Sequence, residues 1–114
     1  MSNPSKQKGT RWETELVNYL RTAGFPACER RALSGNSDRG DVAGIDGWTI
    51  EAKSATGINL AGWSDETERE RLVNQDPWGL LVIKRRLKPA SEAYAVMPME
   101  AMAELMRMDQ EGFH

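Results

Sequence analysis

Asp41-Val42-Ala43-Gly44-Ile45-Asp46-Gly47-Trp48-Thr49-Ile50-Glu51-Ala52-Lys53 is the stretch from which the rest of the chain is read. Asp46-Gly47 is a hairpin signal, so residues 41–43 and 48–54 are predicted to pair as antiparallel strands. Residues two apart in a strand share a face. Trp48, Ile50 and Ala52 are therefore predicted to enter a core while Glu51 and Lys53 project together from the other side. The hairpin brings Asp41 to that same side. Two carboxylates and an ammonium in one place suit a hard divalent cation and a phosphate.

Upstream, Thr10 and Glu13 form a Thr-x-x-Glu capping box for a helix from Arg11 to about Ala23, closed by Gly24 with Pro26 beyond. Trp12, Leu16, Tyr19, Leu20 and Ala23 make one apolar stripe with Val17 on its flank. Glu13 falls inside that arc, between Leu20 and Val17. A carboxylate facing a core must be paired, protonated or bound to a metal, but an acid in a first turn can also serve the cap alone. The helix leaves both readings open. Residues 1–9 read as a flexible basic arm, residues 10–109 as a single domain and residues 110–114 as a tail.

Downstream, Phe25 to Leu33 reads as a first strand and Ser34 to Gly40 as a loop. After the hairpin, Ser54 to Gly62 reads as loop. A second helix is expected from Ser64 or Asp65 through Asn74, capped by Asp65 and Glu68, with Leu72, Val73 and Trp63 as its core contacts. Gly79 to Ile83 is a continuous apolar run, the mark of a central strand buried on both faces. Ala93 to Met97 reads as a short strand, and Pro98 as the opening of a last helix to about Met108. Met99, Met102 and Met106 recur there at helical spacing beside Leu105, a pattern of core or subunit interface rather than of a ligand site.

Composition narrows the chemistry. The single cysteine, Cys28, excludes an internal disulfide and a cysteine-cluster zinc site. The single histidine, His114, is the last residue, so histidine-based nucleophilic and zinc mechanisms lack a base or ligand. Carboxylate, lysine and arginine chemistry remains. Apolar runs are too short for a transmembrane helix and the first ten residues lack the apolar core of a secretory signal, so a cytoplasmic protein is expected. A net charge of -2 does not announce a nucleic-acid partner. Basic residues nevertheless gather at Lys6, Lys8 and Arg11, at Arg30 and Arg31, and from Lys84 to Lys88. They are either one basic side or solvated charges on unrelated faces.

The order of parts resembles the PD-(D/E)XK nuclease superfamily. Within it, Lys8-Gly9-x-x-x-Glu13, Arg31-x-x-Ser34-Gly35, Gly40-Asp41 and Ile50-Glu51-Ala52-Lys53 are similar to the archaeal-type Holliday-junction resolvases and their bacteriophage relatives. Gly40 stands where the superfamily motif has proline, and the last helix carries no family residue. The resemblance implies an α/β fold, a restriction-endonuclease-like mixed β-sheet flanked by helices. It also implies a Mg²⁺-dependent DNA endonuclease, with Mn²⁺ as a substitute, in which Asp41, Glu51 and the Ala52 backbone carbonyl hold the metal. Glu13 would position water at the metal or complete a second metal site, and Lys53 would orient the attacking water and offset phosphorane charge. Products would carry a 5′-phosphate and a 3′-hydroxyl. Lys8, Arg30, Arg31, Ser34, Arg39, Lys84, Arg85 and Arg86 would contact DNA phosphates, leaving selectivity to the shape of a four-way junction. Two strands to cut imply a homodimer. The same residues would serve a nuclease for flaps or other branched DNA, or an inactive DNA-binding module of this fold.

Overall fold

A computed structural model of the chain describes residues 4–31 and 40–112, except for the side chains of residues 4–6. Ser34 and Arg39 lie outside the described residues, with most of the loop read before Asp41. Helix α1 runs Pro4–Thr22, opening on a proline whose fixed φ suits a first turn. It starts earlier than its predicted cap. Residues 4–9, read as an arm, are helical, and Thr10 lies inside the helix, where its carbonyl accepts a hydrogen bond from Thr14 Oγ1 at 3.0 Å. The Thr10–Glu13 capping box does not form, which removes the explanation of Glu13 that needed no site. The helix ends as predicted before Gly24 at φ +116, with the Phe25 N–H donating back to the Leu20 carbonyl at 3.0 Å.

Trp12, Leu16 and Val17 are buried with Leu20 beside them, against Cys28, Val42, Ile50, Val82 and Ala90. The Trp12 indole N–H donates to the Val82 carbonyl at 3.4 Å, so the largest core side chain leaves no buried donor unmet. Tyr19 and Ala23, predicted within the stripe, are exposed. The buried arc is instead centred near Leu20, the side of α1 on which Glu13 lies.

Among the described residues five strands follow: β1 Glu29–Arg30, β2 Val42–Ala43, β3 Trp48–Lys53, β4 Trp78–Ile83 and β5 Tyr94–Val96. They form one sheet in the order β1-β2-β3-β4-β5. The β1/β2, β2/β3 and β4/β5 pairs are antiparallel, and β3/β4 is parallel through a helical crossover, so the sheet is mixed. Of the predicted first strand, Ala32 and Leu33 lie outside the described residues, and its start is lost because Phe25 to Cys28 turns, with the Cys28 N–H donating to the Phe25 carbonyl at 3.0 Å, which leaves Glu29 and Arg30 as strand. The hairpin forms as predicted, Val42 opposite Ile50. In its connection Gly44 has φ +97, and an added Cβ would run into the Ala27 carbonyl. Gly44→Ala is expected to destabilise the protein by about 3 kcal/mol, read as a lower urea midpoint. An unchanged midpoint would contradict the close approach.

Helix α2 is Leu60–Asn74, four residues longer than predicted at its start. Its cap is Asn59, whose side-chain oxygen accepts from the Gly62 N–H at 3.2 Å, and not Asp65. Leu72 and Val73 are exposed, and the buried residues of α2 are Thr67 and Glu70. Strand β4 is the buried strand predicted, with Leu81, Val82 and Ile83 all inside. Helix α3, Met99–Gln110, follows Pro98 and buries none of its residues; Met99, Met102 and Met106 face outward.

Candidate active site

The two helices take opposite faces of β3. Ile50 joins the apolar core under α1, with Trp48 and Ala52 packed against it, while Thr49, Glu51 and Lys53 meet α2. Alternate strand residues rise about 6.7 Å, and residues four apart in a helix rise about 6.0 Å. Because α2 runs antiparallel to β3, these two periods stay in step along the contact. Thr49 Oγ1 donates to Asp76 Oδ2 at 2.8 Å and accepts from Asn74 Nδ2 at 2.9 Å. Next along the seam, Glu51 meets Glu70. Lys53 meets Glu66, Nζ lying 3.1 Å from Oε2. The interior of this layer is thus polar where a helix on a sheet is ordinarily apolar.

Glu51 is the most constrained acid of the group. Its side chain is 5% exposed, and Oε2 is buried and accepts no hydrogen bond among the described residues. A carboxylate in that position must take up a proton or a cation. Its pKa is accordingly pushed up to about 11, first by burial, then by the hydrogen bond that a proton would allow with Glu70, and then by the charge of Asp41. Oxygens of Glu51, Glu66 and Glu70 come within 4.8 Å of one another.

Asp41 approaches from the β2 side. Its N–H donates to the Ile50 carbonyl at 2.8 Å, and its Oδ2 accepts the Ala52 N–H at 2.8 Å, continuing the ladder one step past the end of β2. That second bond fixes the carboxylate beside Glu51. Glu13 reaches the same region from α1. Its side chain is 20% exposed and pairs with Arg30 at 3.3 Å. Burial raises the Glu13 pKa and the charge of Asp41 raises it further, against the lowering effect of Arg30.

Lys53 sits 3.7 Å from Glu51 Oε1 as well as against Glu66, with the Trp63 ring 6.0 Å from its ammonium. Burial acts to lower its pKa. The hydrogen bond to Glu66 and the charges of Glu51, Glu66 and Asp41 outweigh that, and the net shift is upward.

Of the four residues singled out by sequence, Asp41, Glu51 and Lys53 come together at one end of the sheet, while Glu13 lies near enough to Asp41 to feel its charge, and neither Glu13 nor Asp41 belongs to the carboxylate group within 4.8 Å. Ala52, between two of them, gives its N–H to Asp41. Sequence reasoning missed Glu66 and Glu70, which lie on the helix whose core contacts were expected from Leu72, Val73 and Trp63. Their four-residue spacing against the two-residue spacing of Glu51 and Lys53 was the available signal.

The basic residues divide. The Lys84 N–H donates to the Lys53 carbonyl at 3.0 Å, so the Lys84-Arg85-Arg86 segment leaves the sheet at the same end as the site. Lys84 is held by Glu15 at 3.1 Å and over the Trp12 ring at 5.0 Å. Arg85 lies 5.0 Å over the Tyr94 ring. Lys8 and Arg86 are exposed, as is Arg30 on β1, and Arg31 is half-buried.

The donors present fit a small hard cation. They are all carboxylate oxygens, there are more of them than Lys53 can neutralise, and one buried oxygen has no donor. Compared with protein-family models, with curated proteins and with solved structures, the chain matches none.

Proposed function

We propose that this protein is a Mg²⁺-dependent endodeoxyribonuclease that cuts branched DNA, four-way junctions foremost, as a homodimer. The observation that carries the reading is Glu51, a buried carboxylate with an unmet oxygen, flanked by Asp41, Glu70 and Lys53. Nothing in the packing of a domain requires that group. The order Glu13, Asp41, Glu51-x-Lys53, which resembles the PD-(D/E)XK nucleases, supports the assignment to phosphodiester hydrolysis.

Asp41 and Glu51 would hold the ion, with the Ala52 carbonyl as a further oxygen and Glu13 reaching it through water. Mg²⁺, or Mn²⁺ in its place, would polarise the scissile phosphate and ease the deprotonation of water. Lys53 remains an ammonium among its carboxylates, which supports a role in offsetting phosphorane charge and orienting the water over one as the base itself. Glu13, held by Arg30, would orient water at the edge of the site. Lys8, Arg30, Arg31, Lys84, Arg85 and Arg86, together with Ser34 and Arg39, would grip phosphates, which carry little base information and leave recognition to DNA shape.

The exposed methionine face of α3 supports a two-fold dimer, since one domain cannot address both strands of a junction. Among the described residues no helix is long and apolar enough to cross a membrane. A DNA substrate would place the protein in the cytoplasm of a bacterial or phage-infected cell. The test compares a synthetic four-way junction, a flap and a linear duplex, each with Mg²⁺. Paired nicks confined to the junction are expected. Cutting of the flap alone would move the assignment to another branched substrate.

A further inference from the structure

Helix α2 carries acids to which the reading above assigns no chemical role. Glu70 is one of its two fully buried residues, yet it is an acid, and it faces Glu51 across the seam. Glu66 lies one turn away with an oxygen inside the same 4.8 Å group and its carboxylate held by Lys53. Two buried carboxyl groups placed face to face in the metal-free protein lose hydration together and must take up a proton to avoid mutual repulsion. A structural helix could avoid that with leucine at no cost in packing. The unmet Oε2 of Glu51, nine-tenths buried, is independent of the acid count and points to a missing electropositive partner. A cavity of about 290 Å³ bordered by Glu66, Arg69, Glu70 and Val73, one face of α2, adjoins two of the acids.

We propose that Glu70 is a ligand of the divalent cation, bridging to Glu51 from α2, so that the metal centre is built across the sheet–helix seam and not from the hairpin and α1 alone. This rests on the nuclease reading, but assigns to α2 a role that reading does not contain. Glu66 then lies at the rim, where Lys53 holds it. Locking α2 onto β3 through the ion would also join the two elements whose interface is otherwise a line of polar pairs.

The experiment uses the full chain, stripped with EDTA and dialysed, and titrates it with Mn²⁺ by calorimetry without any DNA. Wild type is expected to bind, and Glu70→Gln, close to isosteric, to weaken binding at least about tenfold. Glu68→Gln on the same helix, whose partner is Arg71 at 3.0 Å, is expected to bind as wild type does. Thermal unfolding without metal verifies that each variant folds. If Glu70→Gln binds Mn²⁺ like wild type while Glu51→Gln and Asp41→Asn do not, Glu70 merely shares a proton with Glu51 and the proposal is overturned, with the nuclease reading intact. If wild type itself takes up no Mn²⁺, both fall together.

Discussion

Glu51→Gln is expected to abolish cleavage and, at the same time, to make the metal-free protein more stable. The two effects have one cause. The Glu51 carboxyl, with its pKa raised from 4.5 to about 11, is comfortable in the fold only when protonated. A group whose pKa is raised on folding contributes stability below its unfolded value and loses it as pH rises toward the folded one. The metal-free wild type should therefore weaken steadily from mildly acid pH upward. Glutamine supplies a neutral group of the same shape, so the advantage of the variant should widen with pH. At neutral pH it should reach about 2 kcal/mol, the order of the cost of taking up a proton on folding, or roughly 8 °C in Tm for a domain of this size. Saturating Mg²⁺ should reverse the order, because only wild type gains from binding. Unfolding curves in EDTA and in Mg²⁺ provide the check. A variant less stable than wild type in EDTA would show that the ionised Glu51 carboxylate is stabilised by its pairing with Lys53 and would contradict the account.

Asp41→Asn and Lys53→Ala should both remove cleavage while leaving junction binding nearly intact. Asparagine can still accept the Ala52 N–H that Asp41 Oδ2 takes at 2.8 Å, so the end of β2 and the hairpin register should survive. What is lost is the second charge beside Glu51. Lys53→Ala removes the ammonium proposed to offset charge at the reacting phosphate, and a loss of at least about a hundredfold is the scale for one such electrostatic group. Lys53 also pairs with Glu66 across α2, so this variant should be somewhat less stable as well. Binding in the absence of cleavage, followed by gel shift in Ca²⁺, separates the two functions because the proposed phosphate contacts lie on Lys8, Arg30 and the residues after β4. Cleavage at the wild-type rate by either variant would mean that the site is misassigned.

The parts of the fold that were legible in sequence are those fixed by local punctuation. Gly24 ends α1, Asp46-Gly47 turns the hairpin, the Gly79 to Ile83 run makes β4, and Pro98 opens α3, each within a few residues of its signal. What was not legible depends on distant partners. Tyr19 leaves the apolar stripe because the sheet beneath α1 meets the Val17 flank instead. The start of α2 was hidden because Asn59 caps it without an acid three residues on, and its buried face was hidden because Thr67 and Glu70 do not look like a buried face. The acids of α2 acquire meaning only from β3: the Lys53–Glu66 hydrogen bond spans 13 positions, and the four-residue spacing of Glu66 and Glu70 marks a shared helix face without saying what that face meets. In the site itself, Asp41, Glu51 and Lys53 could be placed on one side from strand alternation alone. Glu13 needed the observation that α1 starts at Pro4 before its cap explanation could be set aside.

The most direct test is chemical. A four-way junction labelled at its ends is incubated with EDTA-stripped protein, then with the same protein resupplied with Mg²⁺, and the nicked products are offered to a DNA ligase. The account predicts no cleavage in EDTA, cleavage on addition of Mg²⁺ or Mn²⁺, and nicks that the ligase reseals because they carry a 5′-phosphate and a 3′-hydroxyl. Cleavage that persists in EDTA, or none with either ion, would contradict it.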